Sequence, residues 1–335
     1  MAQKVTISDV AAHTGVSTST VSHALSGRRK ISDKVRQKIF DAVTQLNYRP
    51  SYAAQVMNTK RTMLIGVLTD QSRNPSSGVL FEALQNELAK HCYSMVLGVA
   101  GLDESAGRAM LTKFSTGMVD GIINMLPQIE TNEAKHICAP VPVVTYQRQD
   151  SAPVYINFED SVFQAMEYLW SLGHRRIGFV TSETRTFGGV DPALTGFKQF
   201  LSGKNVAFDE QLVYAGKNDI DSGIIAAERF CRQGVSAIFA GNDQMAVGVY
   251  QWAYTNGVKI PKDISVVGFD DSPLATAVFP QLTTVQLPLV ELASHTVDSL
   301  MRKIDGGTDN TQTKIINPSL VIRKSTATAK PILKI

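Results

Sequence analysis

From residue 63 to residue 269 the chain alternates short apolar runs with amphipathic stretches, and this alternation restricts the fold more than any other feature. The runs at 63–69, 93–99, 121–126, 141–145, 177–181, 237–240 and 264–269 are too short for buried helices and suit buried strands. Between them, helical spacing covers 79–89, 106–116, 160–172, 193–201, 222–233 and 244–256. Strands joined by helical crossovers form parallel sheets covered on both faces. Two such βα units, divided near residues 158–161, fit a chain of 335 residues.

The first sixty residues follow another pattern. Residues 1–61 hold ten Lys/Arg and three Asp, a net +7, whereas the remainder is mildly acidic. A basic block on an acidic body suits a polyanion partner, and equally a plain solvated face. Thr6 and Asp9 have capping-box spacing before the apolar series Ile7, Val10, Ala11. Gly15 ends that helix, and Ser17 caps a second over 18–25. Ser32 caps a third, with Val35, Ile39, Ala42, Val43 and Leu46 on one stripe and Asn47 as its stop. The first two helices, joined through Gly15-Val16-Ser17, read as a helix-turn-helix. The second presents Thr18, Ser19, Ser22 and His23, a polar face able to enter a major groove. An ordinary three-helix bundle is the alternative.

The run from Val5 to Ser22 (VTISDVAAHTGVSTSTVS), continued by Ile31-Ser32, Val35-Arg36 and Leu46-Asn47-Tyr48-Arg49-Pro50, resembles the headpiece of the LacI/GalR family of bacterial repressors. The resemblance implies base contacts from Thr18, Ser19 and His23, and phosphate contacts from Thr6, Ser17, Ser22 and Tyr48, with Thr20 as a further DNA-binding candidate. It also implies a hinge over 51–61 that folds on DNA, with Ala54 at the close pairing of two hinges and Met57 as the wedge between bases. Position 23 departs from the family, which usually has Arg there. His23 makes at most one hydrogen bond to guanine, so a changed base preference is expected.

The body resembles the type I periplasmic-binding-protein fold that forms the effector domain of these repressors. The phrases Gly173-His174-Arg175-Arg176-Ile177-Gly178-Phe179, Gly241-Asn242-Asp243 and Val267-Gly268-Phe269-Asp270-Asp271 carry it. The expected architecture is an all-α helix-turn-helix headpiece (1–50), the hinge and linker (51–61), and an α/β effector domain of two Rossmann-like lobes (62–335). The N-lobe takes about 62–159 and 288–318, the C-lobe about 160–287 and 319–335, with crossings near 158–161, 286–290 and 317–321. Ligands in such sheets bind beyond the carboxyl ends of strands. Asp70, Asp160, Asn242 and Asp270 occupy such positions, with Asn74, Gln147, Arg185 and Arg73 as further candidates. Carboxylates and amides there suit bidentate bonds to sugar hydroxyls. The pocket also departs from the family: Ala193 stands where a ligand-anchoring Arg is common, and Asn218 where some members have a stacking Trp. Arg185, Phe187 or Asp191 are the nearby substitutes.

The reading is a sequence-specific repressor acting as a homodimer on pseudo-palindromic double-stranded operator DNA, controlled by a small metabolite, a sugar or sugar derivative. The body supplies the dimer surface, and the tail over 326–335 lacks the leucine heptads of tetrameric members. A corepressed regulator or activator of the same family, and a sugar-binding protein without DNA contact, remain alternatives. No cofactor or metal is expected. The chain has no G-x-G-x-x-G after its first strand, no G-x-x-x-x-G-K-[ST], no H-E-x-x-H and no paired C-x-x-C, so an enzyme has little support. Three scattered Cys, no apolar leader and no run of about 18 apolar residues point to a cytoplasmic protein off the membrane.

Overall fold

The computed structural model describes residues 5–26, 29, 31–49, 56, 59–70, 74–101, 103–146, 154–182, 191–307 and 313–329. Its contacts divide the chain into two compact units, Met1–Thr62 and Met63–Ile335.

The first unit holds α1 (Ile7–Thr14), α2 (Thr18–Ser26) and α3 (Asp33–Gln45). The Asp9 carboxylate accepts the Thr6 N–H at 2.7 Å, closing the first turn of α1. Gly15, at φ +66°, ends it in the left-handed conformation. The Ser17 hydroxyl accepts the Thr20 N–H at 3.2 Å and so caps α2. Asn47, at φ +48°, stops α3. The three helices enclose Val10, Ala11, Val21, Ala24, Ile39 and Ala42, all buried.

The second unit is built on two main sheets. In the first, β1 (Leu64–Thr69), β2 (Ser94–Val99), β3 (Gly121–Asn124) and β4 (Val143–Thr145) run parallel in the order β2-β1-β3-β4. Side chains alternate across it. Ile65, Val67, Ile123 and Val144 meet α4 (Pro75–Lys90) and α12 (Leu289–Ile304) on one face. Leu68, Ile122 and Val143 meet α5 (Glu104–Ser115) and α6 (Thr131–Cys138) on the other.

The second sheet takes β6 (Ile177–Ser182), β7 (Val213–Gly216), β8 (Ala237–Ala240), β9 (Ser265–Asp270), β10 (Thr283–Gln286) and β12 (Ser319–Val321), in the order β12-β10-β9-β8-β6-β7. Only its β10–β12 pairing is antiparallel. On one face Phe179, Phe239 and Phe269 pack with α7 (Phe158–Ser171) and α8 (Pro192–Gly203), where Phe179 stacks on Phe197 at 4.6 Å. On the other, Val180, Ile238 and Val266 meet α9 (Ile220–Arg232) and α10 (Asp243–Thr255). The last two helices touch through glycines. A Cβ on Gly223 would lie 1.9 Å from Met245 O, and one on Gly248 2.0 Å from Ile220 O. A short helix, α11 (Pro273–Ala277), follows β9.

The chain passes between the two sheets at Asn157, between Gln286 and Leu289, and between Ile316 and Ser319. A parallel pair, β5 (Val154–Ile156) with β11 (Lys314–Ile316), leads into the first and last of these passages. There Asn157 N–H donates to Ile316 O at 2.9 Å, and Asn157 Nδ2 donates to Asn317 Oδ1 at 3.3 Å.

Candidate functional site

In the first unit, the buried Val21 and Ala24 anchor one side of α2 and turn the other outward. Thr18 and Ser19 are exposed, as are Thr6 and Ser17; Thr20, Ser22, His23 and Tyr48 are half-buried. The Ser17 hydroxyl lies 2.7 Å from Ser19 Oγ and 2.8 Å from Thr20 Oγ1. These hydroxyls satisfy one another at the helix N-terminus, where unpaired N–H groups favour an anion. Burial pushes the Tyr48 phenol up, which keeps it a neutral donor. Ala54 and Met57 lie outside the described residues.

In the second unit, polar side chains gather where β9 ends and where α4 and α10 begin. Asp270 closes β9 at φ +109°, and Asp271 follows at φ +53°. Two successive non-glycine residues at positive φ mark a strained turn. Asn74 Nδ2 donates to Asp270 Oδ2 at 3.1 Å. The single Ser76 hydroxyl proton is shared between Asp270 Oδ2 at 3.2 Å and Asn74 Oδ1 at 2.9 Å. Asp243 accepts from Thr284 Oγ1 and from Ser272 N–H, both at 2.6 Å. Burial, and next the neighbouring Asp270 charge, push the Asp243 carboxyl up to about 7. Asn242 caps α10 through Met245 N–H at 2.7 Å, and its Nδ2 donates to Asn218 Oδ1 at 3.1 Å. Asp271 is tied to Arg323 Nη2 at 2.6 Å and to Gln286 Nε2 at 2.9 Å.

The structure thus joins Asn74 to Asp270 directly, while Asn242 precedes Asp243, whose carboxyl neighbours Asp270, and itself bonds to Asn218. Asp70 directly follows β1 and is half-buried. Asp160 sits exposed in the first turn of α7, where it accepts from Gln164 Nε2 at 2.6 Å on its own helix. Gln147 and Arg185 lie outside the described residues, as do Arg73 and Phe187. Asp191 caps α8 through Ala193 N–H at 2.9 Å and Leu194 N–H at 3.1 Å, and accepts the Thr181 hydroxyl.

A cavity of about 670 Å³ lies along α4 and the start of α12, bounded by Ser76, Val79, Asp270, Ser272, Leu287 and Leu289. That is the size of a small-molecule pocket. Of the residues expected from the sequence, only Asp270 lines it. Ser76, Asp243, Ser272 and Thr284 were not among the expected site residues. The one signal pointing to Ser76 is its place just after Asn74-Pro75, a helix-start pair. Among the described residues no group of three or more His, Cys, Asp or Glu is arranged to hold a metal, and no helix is long and apolar enough to cross a membrane.

Comparison with known proteins bears on both units. Residues 6–51 match the family model of bacterial regulatory proteins, lacI family, and residues 166–326 match that of a periplasmic binding protein-like domain. The ribose operon repressor of Haemophilus influenzae is 28% identical over 326 residues, covering 96% of this chain and 98% of its own length. The transcriptional repressor PurR of Edwardsiella ictaluri is 30% identical over 334 residues, covering 96% and 97%. A lac repressor dimer bound to operator and the anti-inducer ONPF superposes with a TM-score of 0.86 at 26% identity, over 97% of this chain and 100% of that one. With an outward-facing helix-turn-helix, two βα lobes and this likeness along nearly the whole length, the chain belongs to the lacI family of bacterial regulatory proteins.

Proposed function

We propose that this chain is a sequence-specific transcriptional repressor that binds pseudo-palindromic operator DNA as a homodimer and answers to a small effector, a sugar or sugar derivative. The observation that carries the reading is the α2 face: Thr18 and Ser19 exposed on a basic three-helix unit, with His23 on the same helix. Phosphate contacts from Thr6, Ser17, Ser22 and Tyr48 set the register, Thr18, Ser19 and His23 read base edges, and Thr20 is a further contact with DNA. Ala54 and Met57 act in the hinge on bound DNA.

The effector takes Asp270, Asn74 and Asn242, with Asp70, Gln147, Asp160 and Arg185 as further contacts. A related regulator from Enterococcus faecium was crystallised with bound ribose, which supports a sugar. Homodimerisation is supported by the lac repressor dimer and by apolar side chains left open on the second unit, with Ile225 50%, Tyr254 89% and Phe279 91% exposed. We read the chain as a non-enzymic, cytoplasmic regulator, since the relatives named above are regulators and DNA is its target. Effector binding changes the pairing of the lobes that follow the hinge and releases operator, through a coupling of about 1–3 kcal/mol.

Selection of duplexes from a randomised pool by the purified full chain tests this. An enriched inverted repeat, retained less as salt rises and released by a sugar, is the expected result. Failure to enrich any sequence overturns the reading, and tighter retention with the sugar makes the effector a corepressor.

A further inference from the structure

Asp270 ends a strand of the second sheet, whereas Asn74 and Ser76 form the start of α4, which packs on the first sheet. The bonds of 3.1 Å and 3.2 Å to Asp270 Oδ2 therefore cross from one lobe to the other. All three residues are at most 9% exposed. Donors to a buried carboxylate matter more than neutral pairs, because their removal leaves a charge that water cannot reach. Here the charge also faces Asp243. On the side of α4 and α12 the junction borders the cavity. The bonds to Asp270 are thus among the contacts that attach the lobes at this point.

We propose that Ser76, with Asn74, is a positioning residue of the ligand site: it holds Asp270 for the opposite lobe while the site is empty, and the ligand must take its place. The inference rests on reading this cleft as the effector site, and it narrows the ligand class. The group that replaces an amide N–H and a hydroxyl on one carboxylate oxygen is itself a donor, as a neutral polyol is. A phosphate or carboxylate has no proton to donate to that oxygen once fully ionised. The empty-state bonds also tax binding, since only the fraction of molecules with Asp270 released accepts ligand.

Hydrogen exchange of the ligand-free full chain, followed over residues 74–80 and 270–276, tests the attachment. Ser76→Ala and Asp270→Asn should each speed exchange in both segments by about tenfold. The double variant should exchange no faster than either single one, and Ser76→Thr should restore wild-type rates. Unchanged exchange in Ser76→Ala, or additive effects in the double variant, overturns the proposal. Thermal shift with neutral pentoses and hexoses and with their phosphates tests the ligand class. A stabilising neutral sugar should shift Ser76→Ala more than wild type. Stabilisation by phosphates alone, or by no neutral sugar, counts against the class. The duplex selection on the same proteins separates the two readings. No enriched operator, with exchange over residues 74–80 and 270–276 responding to Ser76→Ala, sinks the repressor reading, and an enriched operator with unchanged Ser76→Ala exchange sinks this one.

Discussion

Asp243 keeps its proton up to about pH 7 because it is buried beside Asp270, whereas in the unfolded chain it titrates near 3.8. Between those values the folded state binds a proton that the unfolded state has released. Stability from this group is therefore fully present below about pH 4, declines as pH rises towards 7, and stays at its lower level above. Buried His174 has the opposite sign: burial lowers its pKa, so it costs stability as pH falls through its ordinary range. The difference between wild type and Asp243→Asn isolates the acid. The variant should gain melting temperature over wild type at pH 8, and the gain should shrink by pH 5, measured by differential scanning calorimetry. At the other end of the chain, His23→Arg should change the base enriched at one operator position, with discrimination of about 1–3 kcal/mol. Identical enrichment by both proteins would show that position 23 does not read bases. Asn74, Asn242 and Asp270 were legible as polar residues at strand and helix ends. Ser76 and Thr284 were not, because a small hydroxyl residue gains meaning only when the fold sets it against a carboxylate 194 or 41 positions away.

The close approach of α9 and α10 makes Gly248 a sensitive element. A methyl group there meets the Ile220 carbonyl, which is backbone and cannot rotate aside. Gly248→Ala should cost roughly 2–4 kcal/mol in urea unfolding, while Gly203→Ala, which meets nothing within 4 Å, should cost far less. Strands β1–β4, β6, β8 and β9 were legible in the sequence as apolar runs, and β8 spans Ala237–Ala240 as expected, whereas β5, β7, β10, β11 and β12 lie outside the expected runs. Helix starts were less legible. The expected helix at residue 79 begins at Pro75, since the Asn74 side chain accepts the Ser76 N–H and proline suits the first turn. The alternation read to residue 269 omits α12, although Leu292, Val297 and Leu300 have helical spacing. It also omits α6, whose short, polar sequence becomes helical by packing Ala134 and Cys138 on the first sheet. There tertiary contact outweighs local preference.

Across the whole molecule, charge and chemistry are segregated. The basic excess lies in residues 1–61, so operator affinity should fall steeply with salt, by about 0.9 log unit per log unit of salt for each phosphate neutralised. Fluorescence anisotropy across a salt series should show that slope, whereas calorimetric sugar binding to the body should hardly change. Equal slopes for both would contradict the segregation. The passages between the sheets add a constraint on motion. Asn157 bonds to both Ile316 and Asn317, so two of the three passages are tied side by side. A single residue thus fastens the outgoing strand to the returning one, and replacing it would loosen both passages at once.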